Sequence, residues 1–263
     1  MPDGNDRDHA SVTLSSGAAM PLVGFGIWRL TGRDAYRAVR VALDVGYRLI
    51  DTATMYGNET QIGEAIRDSG IARHELFVTT KLPPENAGRE RATIEASLGA
   101  LGLEHVDLWL VHWPPGERTL VRTWQGMLAA RDDGLVTSVG VSNHRVAEID
   151  RLVGATGEAP AVNQIPWAPS RFDGGLLRAM RERDVVLEGY SPFKNTNLRA
   201  STLVDIARRH AVTPAQVVLR WHVQHEVVVI PKSATAARIG ENFDVWTFDL
   251  SSDEMRAIDA LGR

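Results

Sequence analysis

A chain of 263 residues can bury one large core, and at this length an α/β barrel is commonly a single domain. With 24% charged and 44% hydrophobic residues the composition is that of an ordinary globular chain, and a net charge of −4 with no offsetting basic run argues against a nucleic-acid partner. There is no cysteine, which excludes disulfides, thiol catalysis and cysteine-ligated metal.

The start, MPDGNDRDHA, is polar and has no apolar core of a signal peptide, so residues 1–10 are expected to be disordered and the chain cytoplasmic. No apolar run approaches membrane-spanning length. Val12 to Leu14 and Ala19 to Leu22, with Gly17 between them, predict a small hairpin. Val23 to Trp28 is a short apolar run with two glycines. After it a rhythm sets in: a helix ends near a glycine and a short apolar strand follows.

Helix 33–45 stops at Gly46 and feeds a strand through Leu49 and Ile50 to Asp51. Asn58, with Glu59 in the first turn, is the expected N-cap of the next helix, which stops at Gly70 and feeds Leu76 to Thr80. Helix 89–101 stops at Gly102 before Val106 to Val111, and helix 120–132 stops at Gly134 before Val136 to Val141. Helix 146–153 precedes Ala161 to Ile165, and helix 175–183 precedes Val185 to Tyr190. Helices 201–210 and 213–224 follow, the second opened by Thr213-Pro214. Then come the strand Val227 to Ile230, a short helix from Thr235, and a final short helix with a capping box of Ser251 and Glu254.

These are eight βα units of roughly thirty residues each, the size of a βαβ crossover. Parallel strands covered on both faces read as apolar runs without alternation, as these do. The expectation is an α/β fold over residues 11–263: a (β/α)8 TIM barrel with an N-terminal hairpin and a short C-terminal helix. Pattern alone also fits an open doubly wound sheet.

In a parallel barrel the C-terminal strand ends share one rim, where the loops build the site. The residues at those ends are Trp28, Asp51, Lys81, His112, Asn143, Gln164, Tyr190 and Lys232. Any one of them alone reads equally well as a loop residue; Asp51, Lys81 and His112 together do not. A buried carboxylate needs a partner, and Lys81 on the neighbouring strand can supply it. Tyr56, five residues past Asp51, can reach back over the rim. A nearby cation is expected to lower its pKa from about 10 and make it a usable general acid. His112 can orient the reacting oxygen or assist the proton transfer. Such a set suits giving a proton to a carbonyl oxygen, with the hydride brought by a cofactor.

No G-x-G-x-x-G and no P-loop is present. A phosphate site is offered instead by Ile230 to Asn242, where Lys232 and Ser233 precede a helix N-terminus and Arg238 adds a fork; a solvated surface helix fits the same residues. Asp51, His112 and His144 also admit a metal-dependent hydrolase, disfavoured by the adjoining lysine and the lack of His-x-His on the first strand. His222 and His225 read as a solvated helix end. Trp124, Trp221 and Trp246 read as packing residues, and Trp167 reads either way.

GFGIW (24–28), FVTTKL (77–82), LVHWP (110–114), GVSNH (140–144), VNQI (162–165), YSPF (190–193) and IPKSATAARIGENFDV (230–245), in this order, resemble the aldo-keto reductases. Together with 46–59 they look most like the bacterial 2,5-diketogluconate and methylglyoxal reductases, over nearly the whole chain from Val12. The resemblance implies a barrel that binds NADPH and reduces aldehydes and ketones, among them small dicarbonyls and sugar-derived or aromatic aldehydes. It implies a tetrad of Asp51, Tyr56, Lys81 and His112, with Tyr56 as proton donor. Ser142, Asn143, Gln164, Tyr190 and Ser191 would meet the nicotinamide half of the cofactor. Lys232, Ser233, Arg238, Glu241 and Asn242 would hold its adenosine phosphate end, and Trp28 and Trp113 would line the substrate pocket. No metal is implied. The expected partner is a small carbonyl compound, not a nucleic acid, a membrane or a second copy. A non-catalytic NADPH-binding barrel is the other reading of this resemblance.

Three departures stand out. Pro83-Pro84 replaces a frequent tryptophan, Pro166 replaces a usual glutamate, and the chain ends at Arg263 soon after its last helix. An open, weakly selective site is the expectation from them.

Overall fold

The computed structural model describes residues 10–262. The disorder expected for residues 1–10 lies outside the described residues except at Ala10. That residue is tied in, for its carbonyl accepts the Leu22 N–H at 2.9 Å. Strands β1 (Ser11–Thr13) and β2 (Ala19–Pro21) pair antiparallel around Gly17, which has φ +85°. This hairpin leans on the base of the barrel, where Ser16 and Ser138 share a hydrogen bond of 2.7 Å.

Eight strands follow: β3 (Gly24–Gly26), β4 (Leu49–Asp51), β5 (Phe77–Leu82), β6 (Val106–Val111), β7 (Val136–Ser142), β8 (Val162–Pro166), β9 (Val186–Tyr190) and β10 (Val228–Ile230). All pair parallel in chain order. Between them lie α1 (Gly32–Val45), α2 (Glu59–Ser69), α3 (Glu90–Leu101), α4 (Leu120–Asp132), α5 (Val146–Thr156), α6 (Gly174–Arg181), α7 (Ser201–His210) and α8 (Pro214–Gln224). Two more, α9 (Ala236–Phe243) and α10 (Ser252–Asp259), come after β10.

The ring closes between its first and last strands. Val23 bridges Val229, Val229 N–H donates to Leu22 at 2.9 Å, and Gly26 N–H donates to Pro231 at 3.2 Å. This seam explains the two glycines in GFG. A Cβ on Gly24 would lie 2.9 Å from Ile230 Cγ2 across the seam, and one on Gly26 would lie 2.9 Å from the Ile230 carbonyl oxygen. The open sheet that the pattern also allowed is thereby excluded.

The expected caps on α8 and α10 form. The Thr213 side chain accepts from Gln216 N–H while Gln216 reaches back, and Ser251 and Glu254 do the same. The cap expected from Asn58 does not. Its side chain makes no bond to the helix; it is buried, accepts from Thr52 Oγ1 at 2.8 Å and donates to the Leu30 carbonyl at 2.8 Å. Tying the β3 and β4 loops together gives its buried amide more partners than a single cap bond would.

The histidines of α8 also differ from expectation. His222 is fully buried, its Nδ1 2.7 Å from the Val218 carbonyl and its Nε2 3.2 Å from that of Trp167. His225 pairs with Asp259 at 2.9 Å and stacks on Phe172. This end of α8 is therefore packed, not solvated, because α10 and the loop after β8 cover it. Trp124, Trp221 and Trp246 are buried in the core as expected, and Trp167 joins them.

Candidate active site

Asp51 is the last residue of β4 and Lys81 the last but one of β5. The register sets Asp51 beside Thr79, so Lys81 stands two residues further on the same inward face. The Lys81 ammonium is 0% exposed. It donates to both Asp51 oxygens, at 2.6 and 2.7 Å, and to the Thr52 carbonyl at 2.7 Å. All three of its N–H bonds are thus used, which is what makes a buried ammonium tolerable. Asp51 takes a further bond from Gln164 Nε2 at 2.7 Å.

Tyr56 ends a 3-10 turn over Thr54–Tyr56, held to β5 by Thr54 Oγ1 donating to the Lys81 carbonyl at 2.9 Å. Lys81 Nζ lies 5.4 Å from the centre of the Tyr56 ring. The His112 ring meets Tyr56 edge-on, with centroids 5.7 Å apart. The expected fall in the Tyr56 pKa does not occur. Burial raises it, Lys81 draws it down, and burial wins, so the net shift is upward. The phenol therefore carries its proton throughout the neutral range. Burial, with Lys81 helping, pushes the His112 pKa down to about 3, so its imidazole is neutral.

A second layer of bonds holds the β7 and β8 ends. Ser142 Oγ donates to the Gln164 carbonyl at 2.8 Å. Asn143, in the left-handed region at φ 63°, donates to the His112 carbonyl at 3.2 Å and to Ser142 Oγ at 3.0 Å. Its Oδ1 accepts the Tyr190 hydroxyl at 2.8 Å. One chain of bonds thus runs from Tyr190 through Asn143, Ser142 and Gln164 to Asp51 and Lys81.

Above these groups opens a cavity of about 650 Å³. Of the residues singled out in the sequence, Trp28, Asp51, Tyr56, His112, Trp113, Ser142, Asn143, Gln164, Tyr190, Ser191 and Lys232 line it. Lys81 lies beneath the floor. Ser233, Arg238, Glu241 and Asn242 are outside the lining, at the start of α9 and along it. Lys232 and Arg238 form no ion pair among the described residues. Glu241 accepts from Thr213 Oγ1 at 2.8 Å, which ties α9 to α8. Pro83 and Pro84 do not reach the cavity.

Sequence reading missed Met55, Phe193 and Lys194 in the cavity wall. Met55 and Phe193 lay inside motifs already singled out, next to Tyr56 and after Tyr190. With Trp28 and Met55 each 52% exposed and Trp113 46%, the mouth of the cavity is apolar and open to solvent. It also missed Glu188, whose signal was a carboxylate inside the apolar run VVLEGY. Among the described residues no three His, Asp or Glu side chains gather as a metal-holding group, and His144 turns its Nδ1 to the Ser142 carbonyl at 2.9 Å. No helix among the described residues is long and apolar enough to cross a membrane.

Comparison with known proteins gives these features a setting. The model of the Aldo/keto reductase family matches residues 22–263. The methylglyoxal reductase DkgA of Salmonella typhimurium is 39% identical over 95% of this chain and 92% of its own length. The crystal structure of an aldo/keto reductase from Brucella melitensis superposes with a TM-score of 0.94 at 40% identity, covering 96% of this chain and 98% of that one. An aldo-keto reductase of Bombyx mori, solved in complex with NADP, superposes with a TM-score of 0.90 at 32% identity, covering 96% of this chain and 92% of that one. Likeness of this extent in both sequence and fold shows that the chain belongs to the aldo/keto reductase family.

Proposed function

We propose that the protein reduces small aldehydes and ketones to alcohols with NADPH, and that Tyr56 gives the proton. The observation that carries this reading is a protonated phenol facing an open cavity, backed by a fully buried ammonium and flanked by a neutral imidazole. When bound, NADPH supplies the hydride. The donor set fits such a cofactor. Gln164 keeps its amide oxygen and one N–H after its bond to Asp51, and Tyr190 presents a half-buried ring in the wall. Ser142, Asn143 and Ser191 complete the nicotinamide end in this reading. Lys232, Ser233, Arg238, Glu241 and Asn242 serve the adenosine phosphate end, with Lys232 and Arg238 on the extra phosphate that distinguishes NADPH from NADH. The NADP seen in the Bombyx mori relative supports the choice.

His112, being neutral, can donate to the carbonyl oxygen without adding charge. As that oxygen becomes an alkoxide its basicity approaches that of hydroxide, whose conjugate acid has a pKa of about 16. Even a phenol held above its usual pKa is acid enough to protonate it. The phenolate left behind faces Lys81, whose charge stabilises it. The apolar mouth of Trp28, Met55 and Trp113 suits small dicarbonyls and aromatic aldehydes, and the methylglyoxal reductase relative supports the former.

Tyr56→Phe tests the reading. Lys81 keeps its three bonds to Asp51 and Thr52 without the Tyr56 hydroxyl, so the variant should fold and bind NADPH in a fluorescence titration. Its turnover should fall about 10²- to 10⁴-fold. Undiminished turnover would reject Tyr56 as the proton donor.

A further inference from the structure

Glu188 sits two residues before Tyr190 on β9 and therefore on the same inner face of the barrel. It is fully buried, beside Gln164 of β8 and Val228 of β10 in register. The ionisable groups around it are Asp51 of β4, Lys81 of β5 and Tyr56 on the loop after β4. Neither of its carboxyl oxygens has a partner of full hydrogen-bond geometry among the described residues. Donors are scarce: Lys81 has spent its three N–H bonds on Asp51 and Thr52, and Gln164, which turns one N–H to Asp51, has only its second N–H to offer Glu188. A second carboxylate in this dry layer would face Asp51, and the one N–H of Gln164 and the already paired Lys81 compensate it only in part, whereas the neutral acid carries no charge to bury. Burial first, and Asp51 next, push its pKa up to about 8.

We propose that Glu188 is a positioning residue for the proton donor: as the neutral acid it leaves Lys81 balanced by Asp51 alone, and its ionisation makes Tyr56 a weaker acid. This rests on the reading of Tyr56 given above. With Glu188 neutral, the buried Asp51 and Lys81 charges cancel. With Glu188 ionised the layer carries one net negative charge, and a phenolate at Tyr56 would add another beside it. The phenol then gives up its proton less readily at every pH.

Three measurements test this. Turnover of the wild type should step down severalfold as pH rises through about 8, and Glu188→Gln, which keeps the shape of the neutral acid and cannot ionise, should lack that step. A purely structural role would change the level of turnover and leave the step in place. Stability gives a readout independent of catalysis. The folded pKa lies above the unfolded value, so the folded chain keeps a proton that the unfolded chain loses, and stability falls as pH rises from about 4.5 to about 8. The melting temperature of the wild type should therefore fall relative to that of Glu188→Gln across this window. If the variant does not fold, infrared difference spectra of wild type carrying ¹³C-labelled glutamate should show a carboxylic-acid band at about pH 6 that is gone by about pH 10. Parallel melting curves with an unchanged step in Glu188→Gln, or no such band in the wild type, would overturn the proposal. Full turnover in Tyr56→Phe would instead remove the functional reading, and the melting and infrared results for Glu188 would be unaffected.

Discussion

Replacing Lys81 with methionine keeps most of the side-chain volume and removes only the ammonium. Asp51 then loses two hydrogen bonds and its counter-charge at a site where it is almost completely buried. Thr52 loses the donor to its carbonyl. Among the described residues only the Gln164 side chain still donates to the carboxylate. Breaking one side of a buried pair costs about 3–5 kcal/mol. In a chain of this size each kcal/mol lowers the melting temperature by about 2–4 °C, so the fall should be about 6–20 °C. The double variant Asp51→Asn/Lys81→Met removes both charges, and a neutral pair of similar shape should recover most of that loss. Thermal unfolding of the three proteins followed by circular dichroism at one pH decides the matter. A double variant at least as unstable as Lys81→Met would show that lost packing, not an abandoned charge, is the source, and the account of the buried pair would fail. Both variants should also lose turnover, since nothing then supports the Tyr56 phenolate.

Two further outcomes follow from the charged groups. Arg238→Ala should weaken NADPH binding more than NADH binding in fluorescence titrations, because only NADPH carries the extra phosphate; equal weakening of the two would remove Arg238 from that site. Glu254 is covered by α7 and opposed in its ionisation by burial. Hydrogen bonds from the Ser251 backbone, His210, Arg209 and the Ser251 hydroxyl outweigh that burial and hold its pKa at about 2. The depressed folded pKa contributes stability that is complete above the unfolded value of about 4.5 and is lost as pH falls towards about 2. In acid melting series Glu254→Gln should start lower at neutral pH and decline less steeply than the wild type over that window; identical slopes would contradict the assignment.

Much of this protein was legible in the order of its residues, and the reason is local. Helix ends at Gly46, Gly70 and Gly102, the caps at Thr213 and Ser251, and the apolar strand runs all depend on near neighbours in the chain. So does the placing of Asp51, Lys81 and His112 at or next to strand ends, where an inward polar residue is most easily borne because the strand opens to the rim. What tertiary structure decided is whatever depends on partners far along the chain. Closure of the ring needed β3 to touch β10 through two glycines. Asn58 left its helix for Leu30 and Thr52, and His222 was enclosed by Trp167. The direction of the Tyr56 shift is the clearest case: nearness to Lys81 was foreseeable, but burial opposes it, and burial is set by everything that surrounds the ring. Glu188 belongs to the same class, because a carboxyl group in a strand is held neutral only when the folded barrel buries it beside another carboxylate.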